Sequence, residues 1–147
     1  MSYIEDNLKK KENLVELYRP SLKHIILFSI IVISGSIILY INGLLDYTEI
    51  FPIFMIYMTF FMIIFLWRKS TEYGVTNIRV IRKTGIISRD VVEMNLKSIE
   101  SIGLRQGIID RILQTGTIQI SGRGIGDVIF KNVDDPVKIR KTIENRN

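Results

Sequence analysis

Two uninterrupted apolar runs constrain this chain more than any other feature. From Ile25 to Leu45 there are 21 consecutive residues without a charge, dominated by Ile and Leu. At 1.5 Å per residue, a helix of that length crosses the roughly 30 Å hydrocarbon core of a bilayer. The second run, Ile50 to Trp67, is 18 residues long, and Tyr47 to Glu49 can extend it into the interface. Pro52 falls in its first turn, where a missing N–H costs nothing, so it marks a helix start and not a kink. The sequence therefore predicts a transmembrane hairpin over 25–67, with helices at 25–45 and 50–67. A cleaved signal peptide fits poorly, because the first run is too long and follows a charged leader of 24 residues with no small-residue cleavage motif behind it.

The flanks orient the hairpin. Lys9, Lys10, Lys11, Arg19 and Lys23 precede the first helix and Arg68 and Lys69 follow the second, whereas Asn42 to Glu49 carries only Asp46 and Glu49. Positive charge stays inside, so both termini are expected to be cytoplasmic at a cell membrane. Ser29, Ser36 and Gly43 recur every seven residues, a small-residue stripe along which a partner backbone can approach closely. The second helix of the same hairpin is the expected partner, with self-association as the alternative. Neither run contains an ionisable residue, so the usual marker of a proton relay or charged pathway is missing.

Composition narrows the chemistry. There is no cysteine, which excludes disulfides, thiolate metal sites and a cysteine nucleophile. The one histidine is His24, too few for a multi-histidine zinc site. No metal, cofactor or catalytic set is expected.

Beyond Trp67 the apolar period changes from helical to alternating. Thr71–Thr76, Arg79–Lys83, Arg89–Leu96, Ile99–Gln106, Thr117–Ser121 and Asp127–Val133 read as strands, separated by turn signals at Thr76-Asn77, Thr84-Gly85, Gln114 to Gly116 and Gly122 to Gly126. Val92, Met94 and Leu96 share one face, as do Ile102 with Leu104, Ile118 with Ile120, and Val128 with Phe130. A helix closes the chain, with Asp135 as N-cap, Pro136 at its first position, and Pro136, Ile139 and Ile143 forming its apolar stripe. The expected fold is an α+β membrane protein: the hairpin, then a β-sandwich or partly open barrel with a C-terminal helix over 68–147, in the outline of a pleckstrin-homology (PH)-like domain. Residues 1–24 read as a cytoplasmic leader, in which Leu8, Val15 and Tyr18 fit a short interfacial helix, with a frayed tail over residues 1–7 as the alternative.

Particular phrases carry a family resemblance. They are Y-x-V-T-N-x-R at Tyr73 to Arg79, the turn at Lys83 to Ile86, L-x-x-I-E-S-I at Leu96 to Ile102, G-T-I at Gly116 to Ile118, and D-P-x-x-x-R at Asp135 to Arg140. Together with Leu17 to Pro20 ahead of two membrane helices, this order resembles the bacterial PH domain membrane proteins typified by the YdbS and YdbT group. The resemblance implies a PH-like domain at the cytoplasmic face of a bacterial membrane and no agreed enzymatic activity. It does not carry over phosphoinositide binding, since no dense basic cluster occupies the first β-hairpin.

The remaining candidates are surface features. Gly122 to Asp127 (GRGIGD) resembles a phosphate-cradling loop, yet it joins two strands and opens no helix, so a β-hairpin turn is the better reading. Arg105, Gln106, Asp110 and Arg111 flank a short connection that could meet a partner or simply be fixed by an Asp and Arg pair. From Arg68 onward there are 15 Lys and Arg against 9 Asp and Glu, so Lys9, Lys10, Lys11, Arg68, Lys69, Arg105, Arg111 and Arg123 are candidate contacts to the lipid bilayer or to a partner. Nucleic acid is not an expected partner, for want of a dense basic stripe. The leading expectation is a non-enzymatic, membrane-anchored module for protein interaction or scaffolding, with another membrane protein or further copies of itself. The alternative is an oligomeric pore or transport component built from the hairpins. An enzyme using Asp46 with Glu49, or Asp110 with Arg111, ranks last.

Overall fold

The computed structural model describes residues 3–85, 88–123 and 125–146. It divides into two compact units, 22–66 and a second formed by 1–21 with 67–147.

The first unit contains two long helices, α2 (Lys23–Ile41) and most of α3 (Tyr47–Ser70); a four-residue helix, α1 (Tyr3–Asp6), precedes them in the chain. Mean hydropathy reaches 2.4 in α2 and 2.3 in α3 with no residue of either buried, so both have the length and composition to cross a membrane. Within the unit, the Tyr57 hydroxyl bonds Ser29, which also donates to the Ile25 carbonyl at 2.6 Å. Ser36 donates to the Val32 carbonyl at 2.9 Å and lines an apolar cleft of 790 Å³ with Tyr40, Tyr47, Phe51 and Phe54. Gly43 leaves the expected stripe. α2 has already ended, Gly43 takes φ +66°, its N–H reaches the Tyr40 carbonyl and the Leu44 N–H reaches Leu39. That pair of bonds is a Schellman stop, so this glycine serves a left-handed backbone and not helix packing.

The second unit is a β-domain of seven strands. β1 (Leu14–Tyr18), β2 (Glu72–Thr76), β3 (Arg79–Thr84) and β4 (Asp90–Asn95) form one antiparallel sheet in that order. β5 (Ile99–Arg105), β6 (Thr115–Gly122) and β7 (Ile125–Asp134) form the other. Helix α4 (Ile108–Leu113) joins β5 to β6, and α5 (Pro136–Glu144) closes the chain. Tyr73, Val75, Val80, Met94, Ile118, Ile120, Val128, Phe130, Ile139 and Ile143 are all buried in one core shared by both sheets and α5. Tyr73 stacks on Phe130 at 4.8 Å between centroids, and its hydroxyl accepts the Lys131 N–H at 3.1 Å, which ties the sheets together.

The leader departs from the sequence expectation. In place of an interfacial helix, Leu14–Tyr18 form an edge strand antiparallel to β2, with Leu17 opposite Gly74 and Tyr18 opposite Tyr73. An isolated short helix satisfies few of its own backbone groups, whereas this strand pairs with an edge that would otherwise be open. α1 adds a second layer. Ile4 is buried against Gly74, where a Cβ would meet its side chain at 3.0 Å, so β2 is covered on both faces.

A buried ion pair locks the leader down. Arg79 reaches Glu12 through Nε at 2.8 Å and Nη2 at 2.9 Å, and its Nη1 pairs with Glu93. Glu12 also accepts the Lys9 N–H and the Thr76 hydroxyl, each at 2.8 Å. Asn77, at the tip of the β2–β3 turn, accepts the Asn13 N–H at 2.9 Å and donates to the Lys11 carbonyl at 3.3 Å.

The closing helix starts where expected, with Asp135 at the N-cap position and Pro136 first in the helix, but without a side-chain cap. Asp135 lies in the left-handed region at φ 46°, and its carbonyl accepts the Lys138 and Ile139 N–H groups at 3.0 and 3.2 Å.

Candidate interaction surface

The chain leaves and re-enters the β-domain at one place. β1 ends at Tyr18 and β2 begins at Glu72, and these ends are paired side by side. Around them the backbone is bonded from several directions. Ser21 N–H reaches the Asn132 carbonyl at 2.5 Å, Ser21 Oγ reaches Asp134 at 2.9 Å, and Pro20 bridges to Val133. On the returning side, Arg68 Nε donates to the Pro20 carbonyl at 2.6 Å, Lys83 Nζ to the Ser70 carbonyl at 2.8 Å, and Thr71 Oγ1 to Trp67 at 3.0 Å. Entry and exit are therefore bonded into the sheets and to each other.

The same end of the domain carries α4. Pro20 bridges Val133, Val133 pairs with Gly116 at the start of β6, and α4 is the element leading into that start. Six residues make a weak helix, so its ends are fixed individually. The Gly107 N–H donates to Asp110 Oδ2 at 2.8 Å, Asp110 Oδ1 accepts the Thr115 hydroxyl at 3.2 Å, and Gln114 stops the helix in the left-handed region at φ 53°. Gln106 Nε2 holds the Thr115 carbonyl at 2.6 Å. Gly116 must be glycine here, because a Cβ would meet Gln106 at 2.8 Å and the Arg105 carbonyl at 3.0 Å.

What α4 presents is apolar. Ile108 is 82% exposed, Ile112 76% and Ile109 56%, and Val137 at the start of α5 is 48% exposed. A groove of 460 Å³ beside it is lined by Gln106, Arg111, Gln114, Val137, Lys138 and Lys141. The sequence singled out Arg105 and Arg111 but not the isoleucines, because the six-residue stretch IIDRIL reads equally well as buried. Their i, i+1, i+4 spacing was the available signal.

The other candidate residues are dispersed. Lys9, Lys10 and Lys11 are exposed, but they sit beside Asn77 at the opposite end of β1 and β2 from the two chain crossings. Arg68 is engaged with Pro20, while Lys69 is exposed. Arg123 pairs with Glu100 at 2.6 Å on the surface, within the connection from β6 to β7. That connection is a hairpin; Gly124 of the glycine loop, and Ile86 of the Lys83 to Ile86 phrase, lie outside the described residues. Asp110 is engaged at the start of its own helix by the Gly107 N–H and the Thr115 hydroxyl. Among the described residues no group of three acidic or histidine side chains is placed to hold a metal ion.

Two sheets of four and three antiparallel strands, closed by a C-terminal helix packed into their shared core, are the PH-like arrangement. The profile of the family described as "Bacterial PH domain" matches residues 24–147. The chain belongs to the bacterial PH domain family. No curated protein and no solved structure gives a match. The matched span of this bacterial PH domain protein begins after β1, so the strand that completes its first sheet lies outside the family match. The two long apolar helices are thus an insertion between the first and second strands of a PH-like sheet.

Proposed function

We propose that this bacterial PH domain protein is a non-enzymatic, two-pass membrane module that holds its β-domain against the cytoplasmic face as a scaffold for another membrane protein or a further copy. The observation that carries this reading is the position of the hairpin between hydrogen-bonded neighbours. Because β1 and β2 belong to one sheet, both ends of the hairpin lie on the same side of any bilayer it enters. That connectivity favours an even number of crossings, and two helices of hydropathy above 2 are available to make them. The positive flanks support the cytoplasm as that side.

A PH-like domain is an interaction fold, and the outer strands β4 and β5 are where a partner strand can add. β1 runs beside α5, where Glu16 pairs with Lys138 at 3.4 Å, and β7 is met by Pro20, which favours β4 and β5 as the sheet edges for docking. Photo-crosslinking from Asn95 and Ser101, both exposed on these strands, should trap a discrete protein adduct in native membranes at normal expression. Absence of any adduct from either position, with the protein correctly inserted, would count decisively against scaffolding.

A further inference from the structure

We propose that α4 docks on an anionic lipid surface: Ile108, Ile109 and Ile112 enter the headgroup and acyl boundary, with Arg105, Arg111 and Lys141 facing lipid phosphates around them. This rests on the membrane-anchored reading and names the contact the domain itself makes.

Three observations lead there. First, the isoleucines are, among the described residues, the most exposed large apolar side chains of the β-domain, on a helix whose ends are pinned so that they stand clear of the core. A soluble domain leaves such a ridge uncovered only where something else covers it. Second, the surroundings are cationic. Arg111, Lys138 and Lys141 line the adjoining groove and Arg105 is exposed at the end of β5. The acids nearby include Asp135, Asp110 and Glu16; Asp110 is taken up by the Gly107 N–H and the Thr115 hydroxyl, and Glu16 pairs with Lys138 at 3.4 Å, which leaves Arg105, Arg111 and Lys141 as the cations that carry the argument. An apolar ridge with a positive surround complements an anionic leaflet, in which the chains accept isoleucine and the phosphates accept the cations. Third, α4 belongs to the end of the domain from which the chain departs into α2 and returns from α3, as the Pro20–Val133 and Val133–Gly116 pairings show. Once the hairpin is inserted, a bilayer is a permanent neighbour of that end, at an effective concentration no diffusing partner matches.

The absence of cysteine makes the test clean. The full chain is reconstituted with a single environment-sensitive label at Ile112→Cys, or at Ile38→Cys within α2 as the reference. Vesicles are either zwitterionic or rich in phosphatidylglycerol, and each is made with and without brominated acyl chains. In anionic vesicles the label at position 112 should be quenched by the brominated chains and shielded from acrylamide, whereas in zwitterionic vesicles it should face water. Changing Arg111 and Lys141 together to Gln should shift the docked-to-free ratio by roughly tenfold or more. If the label at 112 stays in water in every vesicle while that at 38 is quenched by lipid, α4 docking is overturned and the anchor stands. Shielding without lipid quenching, accompanied by a crosslink to another chain, overturns it in favour of a protein partner. A label at 38 beyond the reach of brominated lipid removes the anchor and this inference with it.

Discussion

At the residue scale the decisive contact is Glu12 with Arg79, both almost fully buried and 67 residues apart. Burial pushes the Glu12 carboxyl upward, but the Arg79 guanidinium, the Lys9 N–H, the Thr76 hydroxyl and the Arg79 charge outweigh it and hold it below its ordinary value of 4.5. A carboxyl lowered in the fold contributes stability that is present above its unfolded value and is lost as pH falls through the lower folded one. The β-domain should therefore lose stability on the acid side of about pH 4.5, and Glu12→Gln should flatten that part of the profile. At neutral pH the same change leaves Arg79 with Glu93 as its remaining acid, and breaking a buried pair costs roughly 3–5 kcal/mol. Replacing Glu12 by Leu and Arg79 by Met together should cost less than either change alone, since no buried charge is stranded. Thermal unfolding of the detergent-solubilised chain across the acid range measures all three. Nothing local in the sequence announces this pair. Arg79 reads as one more alternating strand residue and Glu12 as the end of a lysine run, so the contact becomes visible only once β1 places the leader beside the β2–β3 turn.

At the element scale the strands from β2 onward and α5 were readable because their apolar residues alternate or recur at helical spacing over a long enough window. β1 was not. Leu14 to Tyr18 is five residues between a basic run and a membrane helix, where Leu8, Val15 and Tyr18 satisfy a helical period and the stretch is too short to display a strand's alternation. α4 was hidden for the same reason of length. The consequence of β1 is testable by removing it. A chain beginning at Leu22 keeps both long helices and every residue of the family match, yet it lacks the edge strand, the Ile4 cover over Gly74 and the Glu12 partner of Arg79. It should lose cooperative unfolding of the β-domain and become protease-sensitive between β2 and β4. Supplying residues 1–21 as a separate peptide should restore part of the protection. A truncated chain as resistant as the intact one would mean that β1 is dispensable and that the domain is complete without its leader.

At the scale of the whole molecule, the insertion of a hairpin between paired strands turns fold into topology. The leader and the domain after α3 share a sheet, so they cannot be separated by a membrane without breaking the β1–β2 ladder from Leu14–Thr76 to Tyr18–Tyr73. Contacts between the leader and the rest of the domain at the crossings, among them Ser21 to Asn132 and Arg68 to Pro20, oppose such a separation. This yields a prediction with three reporters in an otherwise cysteine-free chain: Lys10→Cys in the leader, Leu45→Cys between the long helices, and Glu144→Cys at the end of α5. In intact cells a membrane-impermeant maleimide should label position 45 alone, and positions 10 and 144 should react together only after lysis. Labelling of 10 without 144, or the reverse, would mean that β1 does not pair with β2 in the cell. Protection of all three would mean that the hairpin enters without crossing, as two helices lying in one leaflet. Labelling of 10 and 144 with 45 protected would keep the sheet but invert the orientation, setting the cationic surround of α4 against the outer face and removing the charge argument for its docking on an anionic inner leaflet.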